Sequence, residues 1–79
     1  MKYERVKLTF PEDLVRQPVI GRVVERFGVM PNIRRANVEE HMGWIVCELD
    51  GEDDAVERAI GWLTEIGVQV DRLGDVLES

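Results

Sequence analysis

The residues able to do chemistry are few and scattered. The single histidine, His41, follows Glu39 and Glu40. An imidazole beside carboxylates can bind a metal or shuttle a proton. No second histidine accompanies it, however, and neighbouring strand residues point to opposite faces, so a solvated turn is the simpler reading. The single cysteine, Cys47, lies between Val46 and Glu48 in a stretch that reads as a strand. It cannot form an internal disulfide, and one thiol excludes a cysteine-rich zinc or iron–sulfur site. It reads as a buried thiol packing as a small hydrophobe. The run Glu52-Asp53-Asp54 lacks the alternating ligands and closing glutamate of a calcium loop, and reads instead as carboxylates at a helix start. There is no G-x-x-x-x-G-K-[ST] phosphate loop. No Ser–His–Asp or Cys–His set can be assembled. No catalytic residue, metal ligand or cofactor is nominated, and the chain is expected not to be an enzyme.

The best candidate site is a binding one, in the segment Gly28 to Val38. It combines a helix-to-strand turn, an asparagine and a break in strand alternation. The Asn32 amide can both donate and accept, and so can recognise an amino-acid backbone. Met30 and Ile33 offer adaptable apolar contact. Spacing alone leaves a second reading open, in which Asn32 holds the turn through local hydrogen bonds.

The elements that must position these residues follow from periodicity. Val6, Leu8 and Phe10 alternate with Arg5, Lys7 and Thr9, which predicts a half-buried strand from about Tyr3 to Phe10. Pro11-Glu12-Asp13 ends it. Pro18 suits the first position of a helix, whose buried face is Val19, Ile20, Val23, Val24 and Phe27. The second strand is expected from Val29 or Met30 to about Glu40. Ala36 and Val38 share a face and Ile33 has the other parity, so either a bulge lies near Arg34-Arg35 or Ile33 faces away. His41-Met42-Gly43 reads as a hairpin turn. The next strand, Trp44 to about Leu49, sets Ile45, Cys47 and Leu49 in one row and Trp44, Val46 and Glu48 in the other. The second helix carries Ala55, Val56, Ala59, Ile60, Leu63 and Ile66. A last strand runs from Val68 to about Arg72, and Gly74 to Ser79 reads as a tail.

Phe27-Gly28-Val29 and Ile66-Gly67-Val68 are an internal repeat, each ending a helix on a glycine and opening a strand. Two consecutive strand–helix–strand units predict an α+β, ferredoxin-like βαββαβ sandwich, with a four-stranded antiparallel sheet and both helices on one face. On the other face Trp44 and Val46 are more apolar than solvent exposure favours, so they are the expected interface residues.

Size and charge narrow the function. The chain has 79 residues, enough for one domain with a core from about Tyr3 to Leu73. With neither disulfide nor metal to brace so small a core, self-association is expected. A net charge of −6 opposes binding to a phosphate backbone, so no nucleic-acid partner is expected. An RNA-binding sheet would also want more aromatics than Trp44 on its open face. No apolar run reaches membrane-spanning length, and no signal-peptide core follows Met1, so a cytoplasmic location is expected.

Several stretches together resemble a known family, the NIL domain: Leu8-Thr9-Phe10, Gln17-Pro18-Val19-Ile20, Asn32 through Glu40, Gly43-Trp44, Ala59-Ile60-Gly61-Trp62-Leu63 and Gly67-Val68-Gln69-Val70. The family takes its name from an Asn-Ile-Leu tripeptide, which here reads Asn32-Ile33-Arg34, with arginine in the third position. The resemblance implies an ACT-like regulatory domain. Such domains close the ATPase subunit of methionine ABC importers, pair with their twins and bind methionine as a feedback inhibitor. Others precede a four-iron ferredoxin module or stand alone, and the start at Met1 and end at Ser79 fit the stand-alone case. By this resemblance Asn32 and Ile33 are the leading ligand contacts, with Met30 and Arg34 beside them.

The expected function is therefore a small-molecule-binding regulatory domain that senses methionine or a related amino acid at a homodimer interface. The alternative is a ligand-independent protein-interaction module serving a transporter, a ferredoxin or a sulfur-metabolism enzyme. An acylphosphatase-like hydrolase is disfavoured, because Pro11-Glu12-Asp13 would repel phosphate where that activity needs an arginine loop.

Overall fold

The alternation of Val6, Leu8 and Phe10 becomes the buried row of the first strand, β1 (Lys2–Phe10). The structure, a computed structural model, describes residues 1–74. After β1 come a helical turn α1 (Glu12–Val15), helix α2 (Val19–Phe27), strands β2 (Met30–Val38) and β3 (Gly43–Gly51), helix α3 (Asp53–Ile66) and strand β4 (Gln69–Arg72). The four strands form one sheet in the order β2-β3-β1-β4, and every neighbouring pair is antiparallel. This is the expected α+β, ferredoxin-like order, which places the two strand–helix–strand units side by side. The proposed tail beyond Gly74 lies outside the described residues.

The core fills the space between the sheet and the helices. Leu8, Leu49, Leu63, Val23, Val56 and Cys47 are fully buried there. Helix α2 contributes Val19 and Val23, and helix α3 contributes Ala55, Val56, Ala59, Ile60 and Leu63. Phe27 and Trp62 meet where the helices pack, with ring centroids 5.8 Å apart, and the Arg26 guanidinium lies 5.2 Å from the Trp62 ring.

Both repeat glycines end their helices in the left-handed region, Gly28 at φ 68° and Gly67 at φ 109°. The Gly28 N–H donates to the Val24 carbonyl at 2.9 Å, and the Val68 N–H donates back to Leu63 at 2.9 Å. These bonds satisfy helix carbonyls that would otherwise lack donors. They also drop Val29 and Val68, the residues after each glycine, into the core.

Three details depart from the expectations. The β1–α2 connection is not a plain turn: Leu14 and Val15 donate backbone N–H bonds to the Pro11 carbonyl, making α1, and Leu14 is buried. Pro18 precedes α2 as its N-cap rather than occupying its first turn. Strand β2 stops at Val38, and the hairpin bond runs from the Glu39 N–H to the Met42 carbonyl.

The break in β2 parity is a bulge. Ile33 pairs with Cys47 and Arg35 with Val46, so Arg34 is the extra residue. Inserting one residue restores Ile33, Ala36 and Val38 to the same face. Strand β2 is also a sheet edge, and all nine of its residues except Pro31 are exposed.

Candidate functional site

On the face away from the helices, the strands set out Tyr3, Arg5, Lys7 and Thr9 from β1 and Trp44, Val46, Glu48 and Asp50 from β3. Met30, Asn32, Arg35 and Asn37 follow from β2. The placement follows from the period of two: each of these residues neighbours a residue of the opposite face along its strand. Trp44 and Val46 do lie on this face, both half-buried. The Lys7 ammonium sits 5.2 Å from the centre of the Trp44 ring and shields part of it.

At one end of this face is a concavity of about 590 Å³ lined by Tyr3, Asn32, Ile33, Arg34 and Glu48. Three of the four sequence-nominated ligand residues, Asn32, Ile33 and Arg34, therefore line one space. Met30 is not part of that lining; it is exposed at the start of β2, opposite Asp50. Asn32 belongs to the strand and stands opposite Glu48. Among the described residues its amide makes no side-chain hydrogen bond, so local turn bonding does not occupy it.

Glu48 organises the concavity. Arg5 Nη2 donates to Glu48 Oε2 at 2.8 Å, and Arg34 Nη2 lies 3.3 Å from Oε1. The hydrogen bond from Arg5, reinforced by the charge of Arg34, holds the Glu48 carboxyl below its ordinary range. It is therefore an anion at neutral pH. The bulge puts the Arg34 guanidinium within reach of Glu48.

Sequence reasoning missed Tyr3 and Glu48. Both are brought to Asn32 only by strand pairing, Tyr3 through β3 at Asp50 and Glu48 directly. The available signal was alternation, which already set Glu48 in the row opposite Cys47.

The other titratable groups take other roles. His41 Nδ1 is 2.9 Å from Glu12 Oε2, which ties the exposed hairpin to the start of α1. Burial pushes the Cys47 thiol up to about 11, with the nearby Glu48 charge adding to the effect, so it is an unreactive core group. On the helix side, Glu57 accepts from Arg72 and from Lys2, and these hydrogen bonds hold its carboxyl down to about 2. Among the described residues no group of three His, Cys, Asp or Glu could hold a metal ion, and no helix is long and apolar enough to cross a membrane.

A second concavity lies at the other end of β2 and β3, where α1 and the start of α2 meet Val38 and Trp44. It is apolar, about 150 Å³, and runs between Leu14, Pro18 and Ile20 on one side and Phe10, Val38 and Ile45 on the other.

Known proteins resemble this chain in sequence and fold. The chain is 28% identical over 75 residues to the L-aspartate semialdehyde sulfurtransferase iron-sulfur subunit of Methanocaldococcus jannaschii; the match covers 95% of this chain and 56% of that protein. It is 33% identical over 72 residues to the methionine import ATP-binding protein MetN 1 of Bacillus cereus, covering 86% of this chain and 21% of that protein. The chain thus spans about half of the first relative and about a fifth of the second. Among solved structures, the C-terminal domain of an ABC transporter ATP-binding protein from Enterococcus faecalis superposes with a TM-score of 0.78 at 24% identity, over 91% of this chain and 84% of that one; this likeness speaks to the fold. The profile of the NIL domain matches residues 4–72, nearly the whole described chain, and on that match the protein belongs to the NIL-domain family.

Proposed function

We propose that this protein is a small-molecule-binding regulatory domain that senses an amino acid, methionine or a relative of it, at a homodimer interface. The observation that carries the reading is the concavity where Asn32, Ile33 and Arg34 meet Tyr3 and Glu48. Among the described residues the Asn32 side chain makes no hydrogen bond there, and Glu48 is an ionised carboxylate able to accept from an ammonium group. The relatives support the class, since one is named as a methionine import ATP-binding protein. The exposed edge β2 and the half-buried pair Trp44 and Val46 supply the surface for a second copy. In this reading residues 1–79 act as one cytoplasmic domain without catalytic groups of their own.

Thermal-shift measurement across the amino acids, with light scattering to give the mass in solution, tests both parts. A dimer stabilised by at least one amino acid at millimolar concentration is the expected result. A monomer indifferent to all of them contradicts it.

The apolar groove at Phe10, Leu14, Ile20 and Val38 favours a second reading, a ligand-independent interaction module serving a transporter, ferredoxin or sulfur-metabolism enzyme. It differs in a measurable way: a bound protein partner is then retained equally with and without amino acid.

A further inference from the structure

The concavity beside Asn32 is not electrically neutral. Two guanidiniums, Arg5 and Arg34, share the single carboxylate of Glu48, so this cluster has a net charge of +1 in a chain whose total is −6. The two arginines are not equivalent. Arg5 makes the short contact, 2.8 Å to Oε2. Arg34 stands at 3.3 and 3.4 Å from the two oxygens, at the long end of hydrogen-bonding distance, and its side chain is 58% exposed. Arg5 therefore holds Glu48, and Arg34 is the charge left over.

A guanidinium is a planar fork of five donors suited to bidentate binding of a carboxylate. Only Nη2 of Arg34 has a hydrogen-bond partner among the described residues. The rest of the fork adjoins a space it shares with the Asn32 amide and Tyr3. A ligand that is neutral overall leaves the excess positive charge uncompensated, and a long apolar side chain would lie against a polar rim.

We infer that the site recognises an amino acid with a second carboxylate, an acidic amino acid, in preference to a neutral thioether one. Arg34 takes the side-chain carboxylate, Glu48 accepts from the α-ammonium, and Asn32 serves the α-carboxylate. Arg34 is then the specificity-determining residue, and Arg5 is a positioning residue that acts through Glu48. The inference rests on the amino-acid reading above and sets an acidic amino acid in the place that reading gives to methionine.

Calorimetric titration of the full chain with L-aspartate, L-glutamate, L-methionine and inorganic phosphate tests it, alongside Arg34→Leu and Arg34→Gln. The parent should bind one acidic amino acid about ten-fold more tightly than L-methionine, a preference of the size expected for a charge-assisted bidentate contact. That binding should weaken as salt is raised. Both variants should lose the preference while keeping the parent's circular dichroism and melting temperature; Arg34→Gln guards against a packing effect of the leucine. Methionine binding as tightly as the acidic amino acids overturns this inference and leaves the amino-acid reading standing. Phosphate competing as well as aspartate also overturns it, because the site is then a general anion patch. No binding of any amino acid overturns both.

Discussion

Arg5 on β1 and Glu48 on β3 are joined at 2.8 Å across the open face of the sheet, and Glu48 stands opposite Asn32 on β2. One carboxylate thus links the strand at the centre of the sheet to the strand at its edge. If it anchors a ligand's ammonium group, Glu48→Gln, which keeps the shape and removes the charge, should weaken amino-acid binding by about ten-fold, the scale of losing a charge-assisted hydrogen bond. Circular dichroism should be unchanged. Equal affinity in parent and variant, measured by calorimetry, would place the ammonium elsewhere.

The ion-pair network beneath α3 gives the protein an acid-sensitive edge. Glu57 is held at about 2 by hydrogen bonds from Arg72 and Lys2, against an ordinary value of 4.5. Its folded-state value is below its unfolded one, so the unfolded chain takes up protons first as pH falls. The stabilisation it gives is complete above about 4.5 and is lost as pH drops from there to about 2. Denaturant melts at stepped pH should show this loss, and Glu57→Gln should flatten that limb of the curve. The effect should be modest and should shrink in high salt, because Glu57 is 44% exposed.

Gly67 ends α3 at φ 109°, a conformation in which a Cβ crowds the backbone. Gly67→Ala should therefore destabilise the fold by about 1 kcal/mol or more. Gly61 is the control, because it lies inside α3 and a methyl group added there meets nothing within 4 Å beyond its own helix turn. Gly61→Ala should be neutral or stabilising by up to about 1 kcal/mol. Urea melts should show a lower midpoint for Gly67→Ala and no lowering for Gly61→Ala.

Cys47 is fully buried, and its thiol is raised to about 11. In the native protein at mild alkaline pH it should not react with a thiol reagent such as dithionitrobenzoate. Stoichiometric release of the chromophore should appear on adding denaturant. Rapid reaction without denaturant would mean that the strand opens locally at the centre of the sheet.

Much of this architecture was legible in the sequence because alternation and helical spacing are strong in β1 and α3. The paired glycines Gly28 and Gly67 marked both helix ends. Even the bulge was foreshadowed, since Ile33 could not share parity with Val38 without an inserted residue; pairing resolved which of two readings held. The turn α1 escaped notice because four residues after Pro11 are too few for a periodic signal, and its stability comes from burying Leu14. In the site, Asn32, Ile33 and Arg34 are contiguous and could be nominated together. Tyr3 and Glu48 could not, because they reach Asn32 only through strand register, which is a tertiary property. Met30, nominated with them, precedes the bulge by several residues and faces Asp50 instead.

In the function proposed above, an amino acid occupies the concavity on the open face. Titrating isotopically labelled protein with amino acids and following the backbone amide resonances tests it most directly. Saturable shifts should centre on Tyr3, on Asn32 to Arg34 and on Glu48, and should be lost in Asn32→Ala. Saturable shifts confined instead to Leu14, Ile20 and Val38, which line the second concavity, or no shifts with any amino acid, would contradict it.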